Sequence, residues 1–383
     1  MDLSIIIDAY EEADLSKRRS RFCSRVTLPL FQTMMVTGAV CIAKKHLIVA
    51  GYGSRREAYH TLFKRVRLLH EFNYNGKDEQ YATVQSLVLI SYWSYSAKDD
   101  FKNNRYWLSI ALSLAYKLQL QRDPATYLDS VGAQRHRKRI WWALVVADQI
   151  ISLGSKLPSL TNINDAHVPM SCVADFLYGN DNEERVKYFC SQSLGITGNL
   201  AQQRQHAVNF IHRAQLSYLI LQKIAAARTP NNVRADHSTG CWHSLLHQLN
   251  TGSATVKQNT DSYHQGDNRR VSRISKTDDA LTDLLYYSCV FSVYETSART
   301  PKNCEQRDCP SGLYVAYSDR IKNLTNSLKD HCLPCISNPL FLTLAKYLSC
   351  SDRVDSDTAG TIRSGVDTLQ FTNRRDEIFA SGL

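Results

Sequence analysis

The chain has 383 residues, 43 % hydrophobic and 21 % charged, the balance of a globular protein with enough length to bury a sizeable core and not that of a disordered or fibrous chain. Its 46 Lys and Arg against 36 Asp and Glu leave a net charge of +10, which favours acidic surroundings such as nucleic acid but speaks to association and not to fold. A membrane protein is not expected, since the most apolar stretch, LPLFQTMMVTGAVCIA, holds Gln32 and is cut off by Lys44 and Lys45 before the ~18 apolar residues of a span.

At the amino end, MDLSIIIDAYEE flanks its isoleucine run with acids, where a secretory signal needs a basic start and a longer apolar stretch. An intracellular chain is expected. KRRSRFCSR, Lys17 to Arg25, is basic and reads as a solvated linker or a weak import signal. Leu28 to Ala50 reads as one buried helix. Ser54 to Phe72 follows as a second, with Ser54 as the N-cap and Ala58, Leu62, Val66 and Leu69 at helical spacing. Asp78 to Tyr95 continues the pattern through Val84, Leu87 and Val88. In YWLSIALSLAYKLQL, Trp107, Ile110, Ala111, Leu114 and Leu118 share a stripe while Leu108 and Leu112 lie elsewhere, so this helix is expected to be covered on most sides. The Arg122-Asp123-Pro124 turn is expected to stop it, because the residue before proline is pushed out of the helical region.

The next helix opens on four cations, Arg135, Arg137, Lys138 and Arg139, and then turns apolar through Trp141 and Trp142. Cations fit poorly at a helix start, which already carries partial positive charge. Asp123 and Asp129 in the preceding loop are expected to neutralise them, with an outside anion as the alternative. Asp148 sits inside the apolar part, where an unpaired charge is costly. It is expected to form a buried ion pair with Arg122 or with a cation of another helix. Beyond a turn-rich exit, SKLPSLTNINDAHVPM, helical patterns return at Gln202 to Ala227, Trp242 to Leu249, Asp279 to Ser297 and Leu313 to Leu328. Strand alternation is sustained nowhere in the first half. The fold class is therefore all-α, a compact array of antiparallel helices with a polar linker and a loose C-terminal tail.

Signatures of catalysis are missing. GYGSRR at Gly51 lacks the third glycine of a dinucleotide loop, and neither a phosphate loop nor a nucleophile elbow occurs. His243 and His247 have the spacing of paired metal ligands, with Cys241 beside them, but Ser244 stands where a zinc protease needs Glu. Solvent-facing histidines are expected. Cys304, Cys309, Cys332 and Cys335 have spacings that a zinc site permits, yet Pro334 lies between the last two, and structural cysteines are the expectation. Arg269 and Arg270 precede Ser272 and Ser275 in a pattern suited to basophilic kinases, so these two serines are candidate phosphorylation sites.

Taken in order, ATVQSLVLISYWS, YWLSIALSLAYKLQLQRDP and RKRIWWALVVADQIISLGSKLPSL resemble the regulatory middle region of fungal zinc-cluster transcription factors. The preceding GSRREAYHTLFKRVRLL is similar to the subgroup that includes cutinase-gene regulators. The family-signature positions are Trp93, Trp107, Arg122, Asp123, Arg139, Trp141, Trp142 and Asp148. Gln149 stands where the family commonly has Arg, and SKLP replaces its usual G-R-P exit. The resemblance implies a transcription regulator in the nucleus and not an enzyme. Its core is 28–180, preceded by a basic segment over 1–27. A helical continuation over 181–250, a polar linker over 251–279, C-terminal helices over 280–350 and a tail over 351–383 follow it.

In that family, zinc belongs to a separate N-terminal cluster of six cysteines that reads DNA. The first 172 residues here hold only Cys23, Cys41 and Cys172, so no cofactor is expected in this chain. It is expected to be a truncated gene product or a regulator that acts through partners. The implied partners are DNA, through the family's cluster or a partner protein, the transcription machinery or other regulators, a small-molecule effector and a second copy in a homodimer. A helical scaffold protein with no role at promoters is the competing expectation.

Overall fold

The computed structural model describes residues 27–72, 80–93, 103–126, 130–162, 164, 166–176, 200–227, 247, 251 and 282–290. The described residues are mainly helical, with no strand among them, as expected for an all-α chain. The chain forms two compact units, Met1–Ala147 with Asn164–Ile211, and Asp148–Ile163 with His212–Leu383.

The first unit begins with α1, Leu28–Cys41, which Thr27 caps by accepting the Leu30 N–H at 3.3 Å. The single helix expected over 28–50 is broken. A short α2, Lys44–Val49, follows an extended Ile42-Ala43, and Leu28, Met35, Ile42, Ile48 and Val49 are exposed where a buried helix was expected. Neither proline nor glycine marks this break; Arg55 fixes it by donating to the Ile42 carbonyl at 3.0 Å. Gly51, at φ 89, then reverses the chain in the left-handed conformation that glycine adopts without penalty.

α3, Arg55–Glu71, matches expectation closely: the Ser54 hydroxyl caps the Glu57 N–H at 3.1 Å, and Ala58, Leu62 and Val66 are buried. α1 packs against α3 and against α4, Gln80–Trp93, whose Val84, Leu87 and Val88 are buried. α5, Asn104–Lys117, lies against α4 and starts on an Asn103 cap. Its covered face is Trp107, Leu108, Ala111, Leu112 and Ala115, while Ile110, expected on the core stripe, is 37 % exposed.

α5 also ends earlier than expected. Gln119 takes φ 57, its N–H bonds to the Tyr116 carbonyl, and the Leu120 N–H reaches back to Ala115. This six-to-one closure with a left-handed residue ends the helix at Lys117, five positions before Arg122. Leu120, 1 % exposed, is the apolar plug that accompanies such a cap.

α6, Val131–Ser155, supplies residues through Ala147 to the first unit and from Asp148 to the second. It ends by the same device: Lys156 has φ 56, and Leu157 N–H returns to the Ser152 carbonyl at 2.9 Å. α7, Leu200–Ala227, and a helix over 282–290 complete the described elements.

Candidate functional site

The basic opening of α6 is not a solvent-facing row. Arg137 is 7 % exposed, donates to the Tyr81 hydroxyl at 2.6 Å and to the Leu118 carbonyl at 2.5 Å, and stands over the Tyr81 ring. It thus ties α6 to α4 and to the end of α5. Lys138 donates to Asp175 at 2.7 Å, and Arg135 lies 4.0 Å from the same carboxylate. Asp175 is 6 % exposed and also accepts the Cys172 N–H at 2.9 Å, closing the short turn Val173–Asp175.

Lys138 and Arg135 thus take counter-charge from Asp175. Asp123 spends its carboxylate on the Ala125 N–H, and Asp129 lies outside the described residues. Asp175 was invisible in the sequence because the partner sits 37 positions from Lys138, beyond the reach of helical spacing.

These geometries separate the cations. Arg137→Ala is expected to cost about 2–3 kcal/mol, since it removes two charge-assisted hydrogen bonds and leaves a part-buried carbonyl and hydroxyl without their donor. Arg135→Ala should cost under ~1 kcal/mol, as a half-exposed and loosely paired charge. Denaturant melts of the two variants check the ranking; equal losses would contradict it.

Asp148 is fully buried, and its partners are two hydroxyls and two backbone amides. Ser159 Oγ donates at 2.6 Å, Ser152 Oγ at 3.0 Å, Thr161 N–H at 2.8 Å and Leu160 N–H at 3.1 Å. Among the described residues Asp148 has no ion pair, contrary to the expectation. Arg122 is exposed and donates to Gln119 instead. Gln149, buried, adds a second layer by donating to Ser159 Oγ at 2.6 Å. A carboxylate that accepts several hydrogen bonds is stable in a buried place without a cation.

Of the other signature positions, Trp107 and Trp141 are at most 2 % exposed, and Trp141 meets the Tyr116 ring edge-on at 5.9 Å. Trp142, 2 % exposed, donates from Nε1 to the Pro169 carbonyl at 3.0 Å. Trp93 is the last residue of α4, and Arg139 is half-buried in α6.

One cluster was missed altogether. His70 Nε2 lies 2.8 Å from Ser86 Oγ, which is 2.6 Å from Thr33 Oγ1, and Thr33 donates to the Pro29 carbonyl at 2.7 Å. A base beside a hydroxyl suggests a nucleophile, but Ser86 is 0 % exposed and its relay ends on a backbone carbonyl. It joins α1, α3 and α4.

Burial lowers the His70 pKa from 6.5 to about 4. The unfolded chain then takes up a proton first, so the His70 contribution is complete above about pH 6.5 and is lost as pH falls through about 4. The loss amounts to about 3 kcal/mol at 1.36 kcal/mol per pKa unit. His70→Gln, which keeps an N–H for Ser86, should flatten stability between pH 6.5 and 4. An unchanged pH profile in that variant would remove His70 as the cause.

Among the described residues no group of three or more His, Cys, Asp or Glu side chains could hold a metal ion. His247 is exposed, whereas Cys241, His243, Ser272, Ser275, Cys304, Cys309, Cys332 and Cys335 lie outside the described residues. Cys289 is buried, which pushes its thiol pKa up to about 12, and Cys172 is exposed. Among the described residues no helix is long and apolar enough to cross a membrane.

The family described as the fungal specific transcription factor domain matches residues 16–281. The chain is 32 % identical over 205 residues to cutinase transcription factor 1 beta of Fusarium vanettenii, covering 53 % of this chain and 22 % of that protein. It is 28 % identical over 213 residues to the transcription factor cpaR of Aspergillus oryzae, covering 55 % and 34 %. It is also 28 % identical over 168 residues to the acetamidase regulatory protein of Emericella nidulans, covering 43 % and 20 %. The match thus spans about a fifth to a third of these relatives. No solved structure matches the chain.

Proposed function

We infer the function from the premise that this chain belongs to the fungal specific transcription factor domain family: it is the regulatory helical part of a transcription regulator. The observation that carries this reading is the family match over 16–281, which takes in α1 to α7. The relatives' names support it, since each is called a transcription factor or regulatory protein. The nucleus is the place of action that follows.

The proposed mechanism is regulatory and not catalytic. Arg137 ties α6 to α4 and the end of α5, Lys138 and Asp175 hold the turn at 173–175 against α6, and Trp142 fastens Pro169 to the same helix. Such a body serves as a scaffold on which another regulator or a small-molecule effector shifts the balance between active and silent states. DNA contact is assigned to the family's zinc cluster or to a partner protein, and zinc to that cluster.

The test tethers the chain to a heterologous DNA-binding domain upstream of a reporter. Tethering should change reporter output in either direction. The chain by itself should give no sequence-preferring footprint, and its residual DNA binding should weaken steeply toward ~200 mM salt. A footprint that persists there against competitor DNA would contradict the assignment of base reading to another element. An unaltered reporter would favour a scaffold with no promoter role.

A further inference from the structure

We propose that the exposed basic and apolar face of α3 is a docking surface for residues 1–15 of the same chain. The face flanks the buried stripe of Ala58, Leu62 and Val66 along α3 and ends on Phe72, the residue after the helix. Lys64 and Arg65 are exposed on it, with no partner among the described residues, while Leu68 is 41 % and Phe72 79 % exposed. Cations interleaved with large apolar side chains call for an occupant that is both acidic and apolar.

Residues 1–15 have that composition. MDLSIIIDAYEEADL holds Asp2, Asp8, Glu11, Glu12 and Asp14, no Lys or Arg, and an Ile5-Ile6-Ile7 run. Nucleic acid satisfies the cations but offers nothing to bury Leu68 and Phe72. A second copy of the same face would set Lys64 and Arg65 against like charges, which an isologous interface disfavours.

Geometry allows the reach. Ile42, after the end of α1, accepts from Arg55 at the start of α3, while Pro29, at the start of α1, meets Ser86 and through it His70 near the end of α3. The two helices are therefore antiparallel, and Thr27 lies at the Phe72 end of the face. The eleven residues 16–26 extend to about 36–40 Å, against about 25 Å for the 17 residues of α3. Tethering on so short a connection raises the effective concentration of the segment at the face.

The experiment places a photo-crosslinking benzoylphenylalanine at position 72 of the full chain. The expected product joins position 72 to residues 1–15 within one chain, and its yield falls at high salt. Lys64→Glu with Arg65→Glu should lower the yield several-fold without changing the thermal melt, because both side chains are exposed. Adding Glu11→Lys, Glu12→Lys and Asp14→Lys to that variant should restore it. Crosslinks to 17–25 or to another region would overturn the proposal, as would products between isotopically distinct copies or a yield indifferent to the charge reversals. The tethered reporter is a separate measurement, so a failure here leaves the regulatory reading standing.

Discussion

Asp148→Ala is expected to lower stability by about 3–5 kcal/mol, through two orphaned amide donors at about 1–3 kcal/mol each and the space the carboxylate leaves. Thr161 N–H and Leu160 N–H have the carboxylate oxygens as acceptors, and backbone donors cannot turn away as hydroxyls can. Ser159 and Ser152 are more forgiving. The latter also lies 3.4 Å from the Pro158 carbonyl, to which it can redirect its proton. Ser159→Ala removes two hydrogen bonds, its own to Asp148 and the one it accepts from the buried Gln149, and should cost about 2–3 kcal/mol, still less than loss of the carboxylate. Asp148→Asn separates charge from shape: its amide nitrogen must face either Thr161 N–H or Leu160 N–H, donor against donor. Asn should thus recover little of the loss. Denaturant titration of the three variants gives the ranking, and an Asn variant as stable as the parent would mean that the clasp does not depend on a carboxylate.

The same clasp shows what the sequence carries and what it withholds. That Asp148 needs a buried partner follows from its apolar neighbours. That the partners are Leu160 and Thr161 amides does not, because backbone donors have no residue type to read. α3 was legible in full, since a Ser cap and a three- and four-residue apolar rhythm are local signals. The ends of α5 and α6 were not. Left-handed residues there are Gln119 and Lys156, where glycine is the usual sign and other residues carry a cost of roughly 1–2 kcal/mol. The break between α1 and α2 likewise has no sequence marker, as it depends on Arg55 reaching Ile42 across the turn. The partners of the α6 cations were not legible because Tyr81, Leu118 and Asp175 come from three other segments. The family itself was legible, because its motifs are long, ordered and rich in tryptophan.

Trp142→Ala is expected to cost about 3–5 kcal/mol, the range for a buried large aromatic replaced by a methyl group. The side chain is 2 % exposed, between the buried Trp141 and Leu144 along α6, so the vacated volume cannot fill with water at no cost. Loss of the ring also releases the Pro169 carbonyl, and Pro169 belongs to the segment whose Asp175 neutralises Lys138. The damage should then spread: with 167–175 loosened, Lys138 loses a well-placed counter-charge, so the Trp142→Ala and Asp175→Ala losses should fall short of additive in a double variant. Trp142→Phe isolates the two contributions. It keeps most of the ring volume but loses the N–H and part of the bicyclic ring, together about 1–2 kcal/mol. A loss of this size is a large share of the roughly 5–15 kcal/mol that hold a domain together, so the alanine variant should melt many degrees below the parent. If it melts with the parent, α6 does not bury its tryptophans against a core. They would then be a docking surface, and the regulatory reading would have to move from a rigid body to an exposed aromatic patch.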